Sequence, residues 1–485
     1  MRITNMMMAN TMLLNISRNM RYVDNLYTQI ATAKKIQVPS DDPITAARAL
    51  KFRSAVSDTG QFQRNASQAL AWMNITESAY NNVVGIVRSI RDRCVQAANG
   101  TLTAEDRQAI SAQVKQMFGQ IAAEMNVTYA GRYTFSGYRT DEPPVLDRST
   151  PAGFNINQSF SPDDVEVTKS YQKPVSGSLL TDPASVYNTR LLKLAYQNVD
   201  FTGGGISVPP LTIPGAPRAL YVHTVNATDG GVPALGGVNP YDSANIPAGN
   251  IVYIQQTGEL VMSDADAVSA DFVQNGLRVN YDKIGIAQGE LNPLVYFSCT
   301  DLSTGIGYNM LEQHVAYEFG VNTRVDINSL AADVLTDKLY ADLNNLCKLL
   351  DRVTISDEQQ VTELYKSQGM IGDVLANATQ RHLADEKARL SEVLHNRFNN
   401  MLEMCDRHMS VISRMQADLG ARINRLDLIV TRLDQEEGSY KQLMSDNEDV
   451  DMMRAIMLKS NAEAVYQASL KAGASIIQMT LSSFI

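Results

Sequence analysis

Residues 449–485 read DVDMMRAIMLKSNAEAVYQASLKAGASIIQMTLSSFI, and the reading of this stretch decides the fold. The polar run Ser445, Asp446, Asn447, Glu448, Asp449 can cap a helix, and no proline follows it. Between Ala455 and Ile485 the only charges are Lys459, Glu463 and Lys471. With about 100° of turn per residue, Ile456, Leu458, Val465, Tyr466, Leu470, Ile477 and Leu481 point to nearly every side of such a helix. A helix apolar all round requires burial all round. The longest uncharged run, Ala472 to Ile485, falls short of the roughly 20 apolar residues a bilayer span needs. Ala462, Ala464, Ala468, Ala472, Gly473 and Ala474 point to close packing against other helices instead.

The other end of the chain offers a partner. Met6, Ala9, Leu13, Ile16, Met20, Val23, Tyr27 and Ile30 alternate steps of three and four residues, the seam of a coiled coil. Pairing the two stretches makes the chain a hairpin with everything else inserted into it. The residues expected to form the polymer or partner interface are Leu13, Ile16, Met20, Val23, Tyr27 and Ile30 near the start of the chain, and Ile456, Tyr466, Leu470, Ile477 and Leu481 near its end.

The 485 residues leave room for about three domains, and 44% hydrophobic content is that of a globular protein. A formal net charge of −10 argues against nucleic acid or an anionic membrane as partner. In the first 20 residues, Asn5, Asn10, Thr11 and Asn15 interrupt any apolar core, so no cleaved signal is expected. Cys94, Cys299, Cys347 and Cys405 lie far apart and read as buried thiols.

Asp42 and Pro43 have the residue types of an N-cap and a first helical position. The helix they open carries a heptad seam from Phe52 through Met73, Tyr80, Val87 and Cys94 to Ala97. Asn99 and Gly100 are a stop signal, and Thr103 with Asp106 can cap a third helix striped by Ile110, Val114, Met117, Ile121 and Met125. From Asp141 to Val325 the chain holds 14 of the 16 prolines, with 19 acidic against 9 basic residues. This predicts an acidic β-rich insertion, with strands in 132–136, 251–262 (turning at Thr257 and Gly258), 276–281 and 293–300. Helical text returns as one helix from Leu330 to Leu350, with Ser356 or Asp357 opening the next. A final seam runs from Phe398 through Cys405, Ile412, Leu419, Leu426 and Leu433 to Met444. The expected fold is mainly α: paired terminal helices (1–35 with 447–485), a long-helix bundle (36–140 with 326–446) and a β-rich insertion (141–325).

No catalytic, cofactor or metal motif emerges. His382, His395 and His408 recur every 13 residues, which spreads them along a helix by about 39 Å, too far to share a metal; they read as surface residues. Asp41 and Asp42 read as cap residues rather than paired catalytic carboxylates.

Several motifs carry a resemblance. Met1 to Thr4, Pro39 to Pro43, Ala98 to Leu102, Gly131 to Tyr138, Leu419 to Leu426 and Ala464 to Ile485 resemble the hook-associated protein 3 family of flagellin-like flagellar proteins. The match covers both helical flanks. It implies an extracellular structural protein of the bacterial flagellum, exported without a cleaved signal and bound beforehand by an export chaperone. It also implies self-assembly into a ring between another hook-associated protein and flagellin, with no enzyme activity and no cofactor. Flagellin itself, a secreted coiled-coil adhesin or translocator with a ligand-binding β domain, and a hydrolase within the insertion are the alternatives.

Overall fold

The computed structural model describes residues 5–98, 104–171, 186–208, 218–226, 232–310, 313–320, 323–352, 358–367 and 369–482. Asn99, Gly100, Thr103, Ser356 and Asp357, where helix signals were expected, lie outside them. Seven helices carry the architecture: α1 (Asn5–Thr32), α2 (Pro43–Ala98), α3 (Ala104–Met125), α4 (Asp337–Arg352), α5 (Glu358–Ser367), α6 (Gly372–Glu448) and α7 (Met452–Ser482). The chain divides into two compact units: Met1–Gln68, Glu318–Arg324 and Arg425–Ile485 form the first, and Ala69–Tyr317 and Val325–Asn424 the second.

In the first unit, the start of α2 is set by local chemistry. Asp42 Oδ1 accepts from the backbone N–H groups of Ile44 (3.1 Å) and Thr45 (3.2 Å), and Oδ2 accepts from Thr45 Oγ1 at 2.6 Å. These bonds satisfy donors that have no partner in a helix's first turn. The Thr45 hydroxyl and N–H hold the Asp42 carboxyl below the usual carboxylate range. Asp41 ties the preceding turn, accepting from Gln37 N at 2.9 Å and Val38 N at 3.1 Å. Beyond the cap, Ala46, Ala49 and Ala66 of α2 and Leu426, Ile429 and Leu433 of α6 are buried.

In the second unit, α2 buries Met73, Tyr80, Val83, Val87, Ile90 and Cys94, and α6 buries Phe398, Cys405, Ile412 and Leu419. Arg91 Nε meets Asp406 Oδ1 at 2.6 Å and Gln416 Nε2 donates to Asn81 Oδ1 at 2.8 Å, so this pairing is antiparallel. Each such apolar side chain contributes about 1.5–3 kcal/mol of burial. On α3, Ile110, Val114, Ile121 and Met125 are buried, and Phe118 stacks against Tyr340 of α4 at 5.3 Å between ring centres. The single helix expected from Leu330 breaks after Val334, because Thr336 leaves the helix to cap α4, its Oγ1 accepting from Leu339 N at 3.0 Å.

The insertion is a ten-stranded sheet: β1 (Thr150–Phe160), β2 (Glu166–Tyr171), β3 (Val186–Lys193), β4 (Asp200–Val208), β5 (Arg218–Val225), β6 (Asn250–Ile254), β7 (Glu259–Met262), β8 (Leu277–Ile286), β9 (Ser298–Asp301) and β10 (Gly307–Tyr308). Their spatial order is β10-β9-β1-β8-β4-β5-β6-β7-β3-β2. β5 and β6 run parallel, Tyr221 opposite Asn250, while the other described pairs are antiparallel. β6 and β7 form the hairpin expected in 251–262. It turns at Gly258 with φ 73°, where a Cβ would lie 2.7 Å from the Tyr196 carbonyl oxygen. A cluster of Val225, Val232, Tyr241, Ile246, Val252, Ile254 and Val261 fills one part of the core.

Two expectations are corrected. Residues 293–300 are not one strand: Asn292 Oδ1 accepts from Leu294 N at 3.1 Å and starts a helical turn over Pro293–Tyr296, with β9 following. The histidines are not all on the surface. His408 is buried, with Nε2 3.2 Å from Asp342 Oδ2, and His382 is largely covered beside Tyr365, Nδ1 to hydroxyl 3.2 Å; of these three, His395 alone is exposed. Position on a helix fixes spacing along the axis but not which face other elements cover. The four cysteines are buried and form no disulfide.

Candidate assembly interface

α1 and α7 pack antiparallel within the first unit. Asn19 Nδ2 donates to Ser469 Oγ at 3.0 Å, and the Tyr27 hydroxyl donates to Glu463 Oε1 at 2.7 Å. Lys459 sits 4.3 Å from the centre of the Tyr27 ring and 3.3 Å from Glu463. The Tyr27 hydroxyl and Glu463 push the Lys459 ammonium up, and Glu463 is held down by the same partners. At Gly473 the helices pack closely enough that a Cβ would meet Ile16 Cδ1 at 3.2 Å.

The closed seam differs from the candidate set. On α1 the less exposed positions include Met12, Ile16, Asn19, Val23, Leu26 and Ile30, and on α7 Ala455, Lys459, Ala462, Tyr466, Ser469 and Gly473, spaced by three and four; Thr28, Gln29, Leu458 and Glu463 beside them are also partly covered. Ile16, Val23, Ile30 and Tyr466 therefore lie in the pairing. Leu13, Met20 and Tyr27, one residue further round the helix, stand 57%, 59% and 49% exposed. Ile456 and Leu470 are exposed as well, at 50% and 44%. The side chains of Ile477 and Leu481 lie outside the described residues. The heptad read from the sequence is a mixture of two stripes that share Ile16, Val23 and Ile30: one closes on α7, and in the other Leu13 and Met20 face solvent while the half-exposed Tyr27 reaches Glu463 and Lys459 of α7.

Where α1 meets α2 and α6 meets α7, the backbone is tied across. Lys35 N donates to Glu448 O at 2.7 Å and Val450 N donates to Ala33 O at 3.0 Å. Ala33 adopts a left-handed φ of 56°, unusual for a residue with a Cβ. Arg53 Nη2 lies 2.7 Å from Glu448 Oε2, and Lys34 Nζ lies 3.3 Å from the same oxygen and 2.6 Å from Asp449 Oδ1. Arg53 foremost, then Lys34, holds the Glu448 carboxyl below its ordinary range.

The helical N-terminal region of bacterial flagellin matches residues 3–140, and its helical C-terminal region matches residues 402–485. Both ends of the chain are thus similar to the helical ends of flagellin. α1 and α7 fall in those two regions, and the β sheet lies between them. Flagellar hook-associated protein 3 of Salmonella typhimurium is 30% identical over 151 residues, 31% of this chain and 47% of that protein. Its Escherichia coli counterpart is 30% identical over 120 residues, 24% of this chain and 38% of that one. The chain thus spans less than half the length of these curated relatives. Flagellin of Salmonella typhimurium is 20% identical over 487 residues, covering 94% of this chain and 93% of that protein. The crystal structure of Xanthomonas campestris FlgL aligns with a TM-score of 0.34 at 13% identity, over 82% of this chain and 99% of that one. No helix among the described residues is long and apolar enough to cross a membrane.

The chain also holds a buried ionic cluster that the sequence reading missed. In the second unit, Lys193 of β3 pairs with Glu166 of β2 and lies 3.1 Å from Asp342 of α4. Arg397 of α6 is 3.5 Å from both Glu166 and Glu259, and Asn400 Nδ2 donates to Glu166 Oε1 at 2.9 Å. Burial raises the Glu166 carboxyl, but Lys193 and Arg397 outweigh it and hold the group at about 2. Beside the cluster opens a cleft of 570 Å³, lined by residues such as Phe160, Asp164, Lys193, Thr336, Arg407 and His408. Its polar walls are paired with one another: Lys338 with Asp164, and Arg407 Nη1 with the Asp163 carbonyl at 2.7 Å. The cluster therefore fastens the sheet to α4 and α6 within this unit. Its members are scattered from 166 to 408, so no local pattern could announce them.

Proposed function

We propose that this chain is a non-enzymatic structural subunit of the bacterial flagellum that forms a ring at the hook–filament junction, polymerising through α1 and α7. The observation that carries the reading is the exposure of Leu13 and Met20 on α1 and of Ile456 and Leu470 on α7, in a helix pair whose other seam is already closed. Exposed apolar surface of this kind marks an interaction site. In this reading the partners are further copies of the chain, another hook-associated protein on the hook side, flagellin on the filament side and an export chaperone before secretion. The protein is extracellular, exported without a cleaved signal, and takes neither nucleic acid nor cofactor. Residues 1–35 and 447–485 act as the polymerisation domain, 36–140 and 326–446 as the bundle, and 141–325 as the outward insertion.

The test is sedimentation of the purified chain with isolated flagellar hooks, wild type against Leu13→Asp and Leu470→Asp. Each substitution removes about 1.5–3 kcal/mol of burial that exists only in the assembly and places a charge there. Binding is expected to weaken by about tenfold or more while the melting temperature moves little. Equal losses in both readouts would place these side chains in the fold rather than in an interface. A second reading, a flagellin filament subunit, has the full-length similarity to flagellin in its favour. Long filaments grown from the purified chain alone would select it.

A further inference from the structure

Six methionines stand exposed among the described residues: Met7, Met8, Met20, Met452, Met453 and Met457, between 39% and 82% open to solvent. All six lie on α1 and α7. Elsewhere Met73, Met125, Met262 and Met401 are buried, and Met117, Met310, Met370, Met404, Met409, Met415 and Met444 are partly covered. The exposed thioethers share these helices with the open apolar side chains Leu13, Leu14, Ile456 and Leu470.

We propose that hydroperoxides oxidise these exposed methionines and so turn exposed surface on α1 and α7 of the free subunit from apolar to polar, which opposes its assembly. The consequence for assembly rests on the reading of α1 and α7 as the polymerisation surface. In the reaction the thioether sulfur attacks one peroxide oxygen. The O–O bond breaks and an S=O bond forms, while the proton of the transferred oxygen passes to the second oxygen, which leaves as water from hydrogen peroxide or as an alcohol from an organic hydroperoxide. Sulfur loses two electrons and the peroxide gains them. A sulfoxide is a strong hydrogen-bond acceptor on a side chain that was apolar and flexible. Buried in a helix contact without a donor, it opposes the association that the thioether favours.

The experiment treats the full-length chain with hydrogen peroxide, maps sulfoxides by peptide mass spectrometry and repeats the hook sedimentation. Met7, Met8, Met20, Met452, Met453 and Met457 are expected to oxidise ahead of Met73, Met125, Met262 and Met401. Sedimented protein is expected to fall roughly tenfold, the equivalent of about one methionine's burial. Two triple variants, Met7→Leu, Met8→Leu, Met20→Leu and Met452→Leu, Met453→Leu, Met457→Leu, keep the apolar surface and remove the sulfur. Each is expected to sediment like the wild type before treatment and to retain part of its binding afterwards, with circular dichroism checking the fold. Oxidised wild type that sediments undiminished, or triple variants as sensitive as the wild type, would overturn the proposal. So would a map in which buried and exposed methionines oxidise together. If the untreated chain does not bind hooks at all, the assembly reading fails, and the oxidation map still decides whether the exposed methionines oxidise first.

Discussion

Replacing Glu166 by glutamine tests whether the buried ionic cluster holds the insertion in place. The Glu166 side chain is one-tenth exposed, pairs with Lys193 and lies 3.5 Å from Arg397. Its carboxyl sits at about 2 against an ordinary 4.5. At about 1.36 kcal/mol per pH unit, that displacement corresponds to about 3 kcal/mol of stability. Because the folded-state value lies below the unfolded one, the contribution is complete above about pH 4.5 and is lost as pH falls through about 2. Glutamine keeps the shape and removes the charge. Lys193 then retains Asp342 alone, and Arg397 retains Glu259. The expected result at pH 7 is a loss of about 3 kcal/mol, within the usual range for breaking one partner out of a buried pair. Urea unfolding would measure it, followed by the fluorescence of Trp72, the single tryptophan, which lies in the same compact unit. The gap between wild type and variant should shrink as pH falls from about 4.5 toward 2. A variant within about 1 kcal/mol of wild type at pH 7, or a gap unchanged across that window, would refute the reasoning.

Four further outcomes are expected. Asp42→Ala removes the cap of α2 and should cost about 1 kcal/mol, read as a lowered melting temperature. Gly473→Leu, whose Cβ would already stand 3.2 Å from Ile16 Cδ1, should force α1 and α7 apart and cost about 1–3 kcal/mol; Gly473→Ala, which meets only the flexible ends of Ile16 and Met12, should be close to neutral by the same measurement. Cys405, its thiol pushed up to about 12 by burial, should resist iodoacetamide at pH 8 in the native chain and react once urea unfolds it. Amide hydrogen exchange on the free chain should be faster in α1 and α7 than in the part of α2 that buries Met73, Tyr80 and Ile90.

The start of α2 and its buried face could be read in advance because they depend on neighbours in sequence: an aspartate that caps, a proline that suits the first turn, and a seam repeated for many heptads. The β-rich character of the insertion followed in the same way from its prolines. What escaped reading is non-local. Ile16, Val23 and Ile30 belong equally to an inward stripe with Met12, Asn19 and Leu26 and to an outward one with Leu13, Met20 and Tyr27. Only the small faces of Ala455, Ala462 and Gly473 on α7 decide which stripe closes. Strand order in the sheet depends on pairings such as β1 with β8, Phe160 opposite Leu277, that no turn signal fixes. His408 looked like a surface residue because its partner, Asp342, lies on another helix, 66 residues away.

The tie between Lys34 and Asp449 joins positions 415 residues apart, and that between Tyr27 and Glu463 joins positions 436 apart. Closing a loop of that length in an otherwise open chain costs about 5 kcal/mol of entropy. The cost falls steeply once nearer pairs have formed, because Arg91 with Asp406, and then Gln63 with Asp434, shorten the free chain that remains. Loop-closure entropy therefore favours pairing that proceeds outward, with the contact between α1 and α7 made cheaper by each pair formed before it.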